Sequence, residues 1–355
     1  MYRLKKLPYK KEYISTNIYK YLSNANYSLG ELKGYLDSSS YLKVILRLIN
    51  IYEAKNSSDI EDVRTTCNDI FIQSITHKKK DPITNEVINH MRAINILYRD
   101  LLTKNKLIID DLDNVQKLIT PDFIGIRKLR GHKIYNKVTN EVLYIPPQNS
   151  NAIIEYYQNL IDYINEEHTS YDPLIKMAII HYQFECIQPY KDGNGRVGRI
   201  INSMSLVQSR RLNYPILNLS KYLNDTKEEY FGLLEKCHNN INYLDEFIIY
   251  MLKGINETTK FTIAFVQQIN RIINNTKMEM TKKLPKIYTQ RLLVHLFKYP
   301  YTKNELLRTE LNISRTTATK YLKLLEEYSF IESFRYGKET IYKNIQLVNL
   351  FNLNI

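Results

Sequence analysis

The residue types and spacing most suited to binding or catalysis occur in the segment 192–199, Asp-Gly-Asn-Gly-Arg-Val-Gly-Arg. The chain has only ten glycines in 355 residues, and three of them fall here, which predicts a backbone conformation that other residues resist. Apolar residues on both sides have helical spacing, so the glycines form a turn that leads into a helix N-terminus, where unpaired amides favour a phosphate. Arg196 and Arg199 share one face of that helix and can reach further phosphate oxygens.

Asp192, directly before the turn, offers a hard oxygen ligand that suits Mg²⁺ bridging such phosphates. A Gly-Asn-Gly turn alone is more typical of a helix cap, but the acidic residue before it and the two arginines after it favour phosphate binding. The spacing differs from the P-loop pattern, and the GxGxxG of the segment lacks a preceding β-rich strand. Neither a Walker nor a Rossmann site is therefore predicted.

The elements around this segment are predicted to be mainly helical, because apolar residues recur every three or four positions over long stretches. The β-favouring runs 133–136 and 142–145, the second ended by two prolines, predict a β-hairpin. The polar, Asn- and Lys-rich stretch 273–285 is the best candidate for a domain boundary.

Composition bounds the class of protein. With 44% apolar residues the chain can bury more than one core, and its net charge of +13 attracts nucleotides, nucleic acid or acidic partners. Three scattered cysteines predict neither a disulfide framework nor a zinc site and fit a reducing compartment. No segment has the apolar length of a signal peptide core or a membrane span, so a cytoplasmic protein without membrane contact is expected.

The segment 192–199 resembles the Fic (Fido-domain) family, whose pattern is HxFx(D/E)GNG(R/K)xxR. From Asp192 to Arg199 the chain matches this pattern at every fixed position. The resemblance extends upstream to His181–Glu185, downstream to Leu219–Tyr222, and to the hairpin, which takes the place of the family's substrate flap. It implies a mainly α Fic core with a β-hairpin flap. It also implies transfer of AMP from ATP to a Tyr, Thr or Ser hydroxyl of a target protein that docks on the flap.

The resemblance also implies the role of each residue. Asp192 would hold Mg²⁺, Asn194 and the amides around Gly195 would bind the α-phosphate, and Arg196 and Arg199 would bind the β- and γ-phosphates. The predicted cofactors are ATP and Mg²⁺. The predicted nucleotide-binding residues are Gly193, Asn194, Gly195, Arg196, Gly198 and Arg199.

Position 188 departs from the family, which has there the histidine that takes the proton from the attacking hydroxyl. Gln188 cannot act as a general base, and loss of such a base costs about 10²–10⁴ in rate. The sequence therefore predicts nucleotide binding with impaired transfer. Tyr190 in place of the family's Phe can fill the same apolar slot if its hydroxyl finds a partner.

A second family feature is an inhibitory helix with the pattern [S/T]xxxE[G/N], which the segment 57–62 fits except for Asp62. The resemblance implies that Glu61, with Ser57, occupies Arg199 and so blocks the γ-phosphate. The alternative is that Ser57 caps the start of a helix with acidic residues in its first turn.

The C-terminal segment resembles a winged helix, with two helices before a hairpin around Gly337. Its second helix would contact DNA, and the alternative is a winged helix used for protein contact or dimerisation. The predicted DNA contacts are Arg315, Thr316, Thr317, Thr319 and Lys320.

Three regions are predicted: N-terminal helices (1–95), a Fic core (96–272) with flap 133–147 and active loop 188–199, and the winged helix (286–355). The predicted function is an autoinhibited protein adenylyltransferase impaired by Gln188. The alternative is a non-catalytic nucleotide-binding regulator that acts through the winged helix.

Overall fold

The computed structural model describes residues 4–9, 16–76, 81–122, 125–135, 139–167 and 170–353, and these are mainly helical. The N-terminal helices are α1 (Thr16–Asp37), α2 (Leu42–Ile60), α3 (Cys67–Ile75), α4 (Pro82–Lys104) and α5 (Ile109–Ile119). The central helices are α6 (Ser150–Asn165), α7 (Pro173–Ile187), α8 (Asn194–Gln208), α9 (Leu219–Asp225), α10 (Lys227–Asn239) and α11 (Leu244–Lys283).

Helix α7 is the centre of the core. Nearly all of its residues from Leu174 to Ile187 are buried, as expected for a helix that is apolar on every side. Helices α6, α8 and α11 pack against it. The candidate loop joins α7 to α8, so it is held by the most deeply buried part of the protein.

The predicted hairpin is present as β1 (Ile134–Tyr135) and β2 (Val142–Tyr144), which pair antiparallel with an irregular register. Positions 136–138 of the predicted strand and turn lie outside the described residues. The hairpin is anchored where Tyr144 donates a hydrogen bond to the Cys186 carbonyl at 3.1 Å and stacks on His238 at 3.9 Å between ring centroids. The flap is thereby fixed to the end of α7.

The polar stretch 273–285, predicted as a domain boundary, is helical as far as Lys283 because α11 runs through it. Ile273, Thr276 and Met280 are buried at helical spacing, while the Asn and Lys residues between them lie on the solvent side. The stretch is an amphipathic helix and not a linker. The three predicted region limits themselves stay predictions.

The C-terminal segment has the order of a winged helix, and the predicted fold class is confirmed. Its elements are α12 (Gln290–Lys298), β3 (Tyr301–Thr302), α13 (Asn304–Leu311), α14 (Arg315–Glu327), β4 (Ile331–Tyr336), β5 (Glu339–Asn344) and α15 (Ile345–Leu353), with strand order β3-β5-β4. Helix α12 packs on α2, and the Arg47 guanidinium lies 5.3 Å from the centre of the Tyr299 ring.

The start of α14 is the predicted DNA-contacting surface. Ser314 caps the helix by accepting a hydrogen bond from the Thr317 amide at 3.1 Å, and Arg315, Thr316 and Lys320 are exposed. Thr319 accepts a hydrogen bond from Asn304 at 2.8 Å, so its hydroxyl is already engaged. DNA contact stays a prediction.

None of the helices in the described part of the chain has an apolar stretch long enough to cross a membrane. All three cysteines are buried and unpaired.

Candidate nucleotide site

The loop between α7 and α8 takes its shape from two left-handed residues. Gln188 ends α7 with φ +46°, and Gly193 precedes α8 with φ +84°. The N-cap residue, Gly193, has no side chain that could cap the first amides of α8. These amides carry the positive end of the helix dipole, so the start of α8 favours an anion. Phosphate binding there stays a prediction.

Asn194 closes this loop internally. Its Oδ1 accepts the Tyr190 amide at 2.9 Å, and its Nδ2 donates to the Tyr190 carbonyl at 2.8 Å. The side chain predicted to bind the α-phosphate therefore shapes the loop, which leaves the backbone amides as the available donors.

Tyr190 stands where the family has Phe, and its additional hydroxyl has hydrogen-bond partners. It lies 2.8 Å from the Tyr157 hydroxyl and donates to Asp113 Oδ1 at 2.8 Å. The ring is fully buried. The substitution is thus accommodated by a hydrogen-bonded pair of tyrosines.

Arg127 is a residue that sequence reasoning missed. Its Nε donates to the Gln188 carbonyl at 2.7 Å, its Nη2 donates to the Pro147 carbonyl, and its amide donates to the Pro189 carbonyl at 2.9 Å. Buried arginines need such acceptors. Arg127 therefore joins the start of the active loop to the end of the flap.

Arg199 lies at the centre of the predicted inhibitory contact. Its Nη2 donates to Glu61 Oε1 at 2.8 Å and to the Ser57 carbonyl at 2.7 Å, while its Nε donates to Ser57 Oγ at 2.8 Å. The Arg199 side chain is 2% exposed and that of Glu61 is 33% exposed. The arginine predicted to bind a γ-phosphate is fully engaged by the N-terminal region.

Ser57 occupies the last turn of α2, and Glu61 follows the end of that helix. The alternative in which Ser57 caps a helix start is therefore wrong, because the apolar pattern of 42–60 forms one continuous helix. Glu61 also lies over Gly195: a β-carbon added there would come within 2.2 Å of Glu61 Oε1. The carboxylate thus sits at the open end of α8, where an anion is favoured.

Arg196 is also paired. Its Nη1 contacts Glu86 Oε1 on α4, and its Nη2 lies 3.7 Å from Asp192 Oδ1. Asp192 itself is half-exposed and accepts the Gly193 amide at 2.6 Å. Glu86, which the sequence pattern did not indicate, holds the Arg196 guanidinium in place from another helix.

Gly198 faces α7 and not the open end of α8. A β-carbon there would lie 3.0 Å from the Phe184 ring and 3.1 Å from Glu185 Oε1. Because Gly198 has no side chain, α7 and α8 can pack closely. This packing explains the glycine without any role in ligand binding.

Three buried titratable groups lie near Arg199. Burial raises the pKa of Glu53 and of Glu185 to about 7, and Arg199 opposes this shift in both. Burial and the two arginines lower the pKa of His90 well below its ordinary value, and both His90 ring nitrogens are buried without a partner. The buried surroundings of Arg199 therefore contain two carboxyls whose pKa values burial raises to about 7.

Three family models match this chain. They are the Fic/DOC family N-terminal model at residues 19–96, the Fic/DOC family model at 98–206, and the C-terminal domain of SoFic-like protein adenylyltransferases at 272–347. The second match contains the whole active loop and the flap.

Individual relatives agree with these models. The chain is 27% identical over 203 residues to protein adenylyltransferase fic-1 of Caenorhabditis elegans and 26% identical over 209 residues to that of Caenorhabditis briggsae. These alignments cover 56% and 57% of this chain but 37% and 38% of the relatives, so the chain spans well under half of their length.

A solved Fic family protein from Desulfovibrio desulfuricans G20 has the same fold over 93% of this chain and 96% of its own, with a TM-score of 0.59 and 17% identity. Fic-1 (residues 134–508) of C. elegans has a TM-score of 0.54 over 69% of this chain and 72% of its own, with 21% identity. The fold, the loop and the three matched models agree, and the chain belongs to the Fic family.

Proposed function

We propose that this protein transfers AMP from ATP to a hydroxyl of a target protein and is held inactive by Glu61. The observation that carries the proposal is the N-terminus of α8, which has no N-cap side chain and lies beside Arg196 and Arg199. Backbone amides and two fixed guanidinium groups suit the charge that develops on a triphosphate during transfer. The similarity to protein adenylyltransferases supports adenylyl transfer as the reaction class.

In this proposal the first amides of α8 bind the α-phosphate, Arg196 the β-phosphate and Arg199 the γ-phosphate. A half-exposed carboxylate at the loop fits a cation held mainly by phosphates and water, so Asp192 would hold Mg²⁺, which would neutralise phosphate charge. Arg196 must exchange Glu86 for phosphate, and Arg199 must exchange Glu61. The loop residues orient the triphosphate, and the attacking hydroxyl comes from the flap side.

Transfer of label distinguishes this reaction from its alternatives. A variant with Glu61→Gly and Gln188→His is incubated with Mg²⁺ and ATP labelled at either the α- or the γ-phosphate. Adenylyl transfer predicts label on protein from α-labelled ATP alone, whereas label from γ-labelled ATP alone would indicate phosphoryl transfer. A folded variant that binds ATP and labels nothing would instead support the nucleotide-binding regulator.

We expect Mg²⁺-ATP to bind weakly to the parent and Arg196→Ala to weaken it by about tenfold or more, because a charged hydrogen bond is worth about 1.5–3 kcal/mol. Isothermal titration calorimetry measures both affinities. Arg308→Ala, on α13 of the winged helix, is the control for the loss of one positive charge. Equal affinity of Arg196→Ala and the parent would place the phosphates elsewhere.

The hairpin is the proposed docking site, because each of its two strands is paired with the other alone among the described residues. A target segment could add to a free edge by main-chain pairing. Val142→Pro, which removes one backbone donor, should lower labelling of a target protein in the Glu61→Gly background by about tenfold or more. Val142→Ala keeps the donor and should label normally; equal labelling by both variants would refute strand addition.

The winged helix as a DNA-binding or dimer-forming surface remains a prediction.

A further inference from the structure

A cavity of about 730 Å³ lies between the N-terminal helices and the winged helix, and we call it the α2–α12 cavity. Residues of α2 and α4 line one side, and residues of α12 together with Glu310 of α13 line the other. The volume is within the range of small-molecule sites, which often lie where two domains meet. The residues of the active loop, 188–199, are all described, and none of them lines this cavity. It is therefore a separate candidate site.

The charged side chains around the α2–α12 cavity are mainly positive. They are Lys43, Arg47, Arg291, Lys298 and Glu310. The one carboxylate in the described lining is engaged, because Glu310 Oε1 accepts hydrogen bonds from Lys298 Nζ at 3.0 Å and from the Tyr299 hydroxyl at 2.7 Å. His295 also lines the cavity, and burial lowers its pKa to about 4, so it is neutral at neutral pH. The other three cations have no compensating carboxylate in the described lining, which favours an anion.

Arg47 lacks the hydrogen-bond acceptors that a half-buried guanidinium needs. Its Nε is buried without a partner, and its side chain has no hydrogen bond or ion pair to any residue that the structure describes. Burial lowers the pKa of Arg47 more than Tyr299 and Glu310 raise it, so the negative charge around it does not compensate for burial. An oxyanion at the terminal nitrogens of Arg47 would supply both the charge and the acceptors.

Part of the same lining is apolar. Val44 and Leu46 of α2, Met91 of α4 and Val294 of α12 line the cavity together with the cations. A simple ion would leave this surface in contact with water, whereas an aromatic or aliphatic group would cover it. The lining therefore suits a molecule that has both an anionic group and an apolar part.

We propose that the α2–α12 cavity binds a small organic phosphate, whose phosphate group contacts Arg47 and Arg291. Arg291 Nη2 donates to the Glu310 carbonyl at 2.9 Å, which holds the guanidinium on the α12 side. A phosphate monoester carries nearly two negative charges at neutral pH and three acceptor oxygens, so it suits several cations at once. The ligand joins α2 to α12, and hence the N-terminal helices to the winged helix. The site does not depend on the proposed adenylyl transfer.

Isothermal titration calorimetry of the full chain at low ionic strength tests this site with naphthyl phosphate, whose ring and phosphate represent the two parts of the ligand. Inorganic phosphate and naphthol are the separate halves, and each should bind about tenfold or more weakly than the whole. Arg47→Ala and Arg291→Ala should each weaken binding of naphthyl phosphate by about tenfold or more, because each removes a charge-assisted contact. Arg308→Ala, which removes a positive charge outside the lining, should bind as the parent does.

Arg47→Lys keeps the charge without the forked donors, so it should keep part of the affinity that Arg47→Ala loses. Arg291 is exposed, so a loss of binding in Arg291→Ala is not a consequence of unfolding. Gly195→Ala obstructs the start of α8, far along the chain from both arginines, and should leave the binding of naphthyl phosphate unchanged.

Equal affinity of the parent, Arg47→Ala and Arg291→Ala would overturn the proposal, and so would an absence of binding to the parent. Loss of binding in Gly195→Ala but not in Arg47→Ala would place the phosphate at the active loop instead. If inorganic phosphate or naphthol binds as tightly as naphthyl phosphate, the proposed ligand class is wrong.

Discussion

Replacing Glu61 by glycine should raise AMP transfer from α-labelled ATP by about 10- to 100-fold. The carboxylate holds Arg199 through a charge-assisted hydrogen bond of 2.8 Å, a contact worth about 1.5–3 kcal/mol, and tenfold in rate corresponds to about 1.4 kcal/mol. Productive binding of the triphosphate must break this contact in the parent and need not break it in the variant. Mg²⁺-ATP affinity should rise together with the rate.

Asp62→Gly provides a matched control. Asp62 is the next residue, has φ +65°, which glycine accepts, and pairs with Lys227 at 3.0 Å instead of Arg199. It should leave transfer unchanged. Equal activation by both substitutions would mean that a loosened helix end, and not the release of Arg199, raises the rate. In the Gln188→His background, Glu61→Gly should raise the transfer rate by the same factor as in the parent, and Asp62→Gly should again leave it unchanged, if Glu61 affects only the binding of the triphosphate.

Gly195→Ala should abolish most transfer and should destabilise the parent, and the second effect should depend on Glu61. The added methyl group would lie 2.2 Å from Glu61 Oε1 and 2.9 Å from Arg199 Nη1. Both atoms end flexible side chains that can move away, so the cost is the loss of the charge-assisted Glu61–Arg199 hydrogen bond, about 1.5–3 kcal/mol of unfolding free energy. The methyl group also obstructs the approach of phosphate to the first amides of α8, so the rate should fall by about 10²-fold or more.

Urea unfolding of Gly195→Ala, of Glu61→Gly and of the double variant measures the coupling free energy between the two positions. With Glu61→Gly already present, the destabilisation by Gly195→Ala should largely disappear. Gly232→Ala on α10, where a β-carbon meets nothing within 4 Å, should be stabilising by up to about 1 kcal/mol. If Gly195→Ala costs the same with and without Glu61, the carboxylate does not occupy the proposed phosphate position.

The conformation of the active loop could be predicted from sequence because it depends on neighbours along the chain. The turn, the helix start and the spacing of Arg196 and Arg199 are all local. The partners Glu86 and Arg127 were missed because each lies at least 50 positions away and reaches the loop only through the packing of other elements. No spacing pattern carries that information.

The predictions for the stretch 273–285 and for Ser57 depended on residue type, and residue type alone fits two different structures at each place. Polar residues are common both in linkers and on the solvent side of a helix, so the stretch 273–285 could be assigned only by noting Ile273, Thr276 and Met280 at helical spacing. Ser57 likewise suits a helix start by its type. Only the continuous burial of α2 places it at the helix end.

Helix α11 has 40 residues, or about 60 Å at 1.5 Å per residue, and it contacts α7 as well as α12 and α15. A continuous helix transmits rotation: one inserted residue turns everything beyond it by about 100°, while a whole number of turns restores its direction. The number of residues in α11, as well as their types, therefore sets the direction in which Arg315 and Lys320 point relative to the nucleotide site.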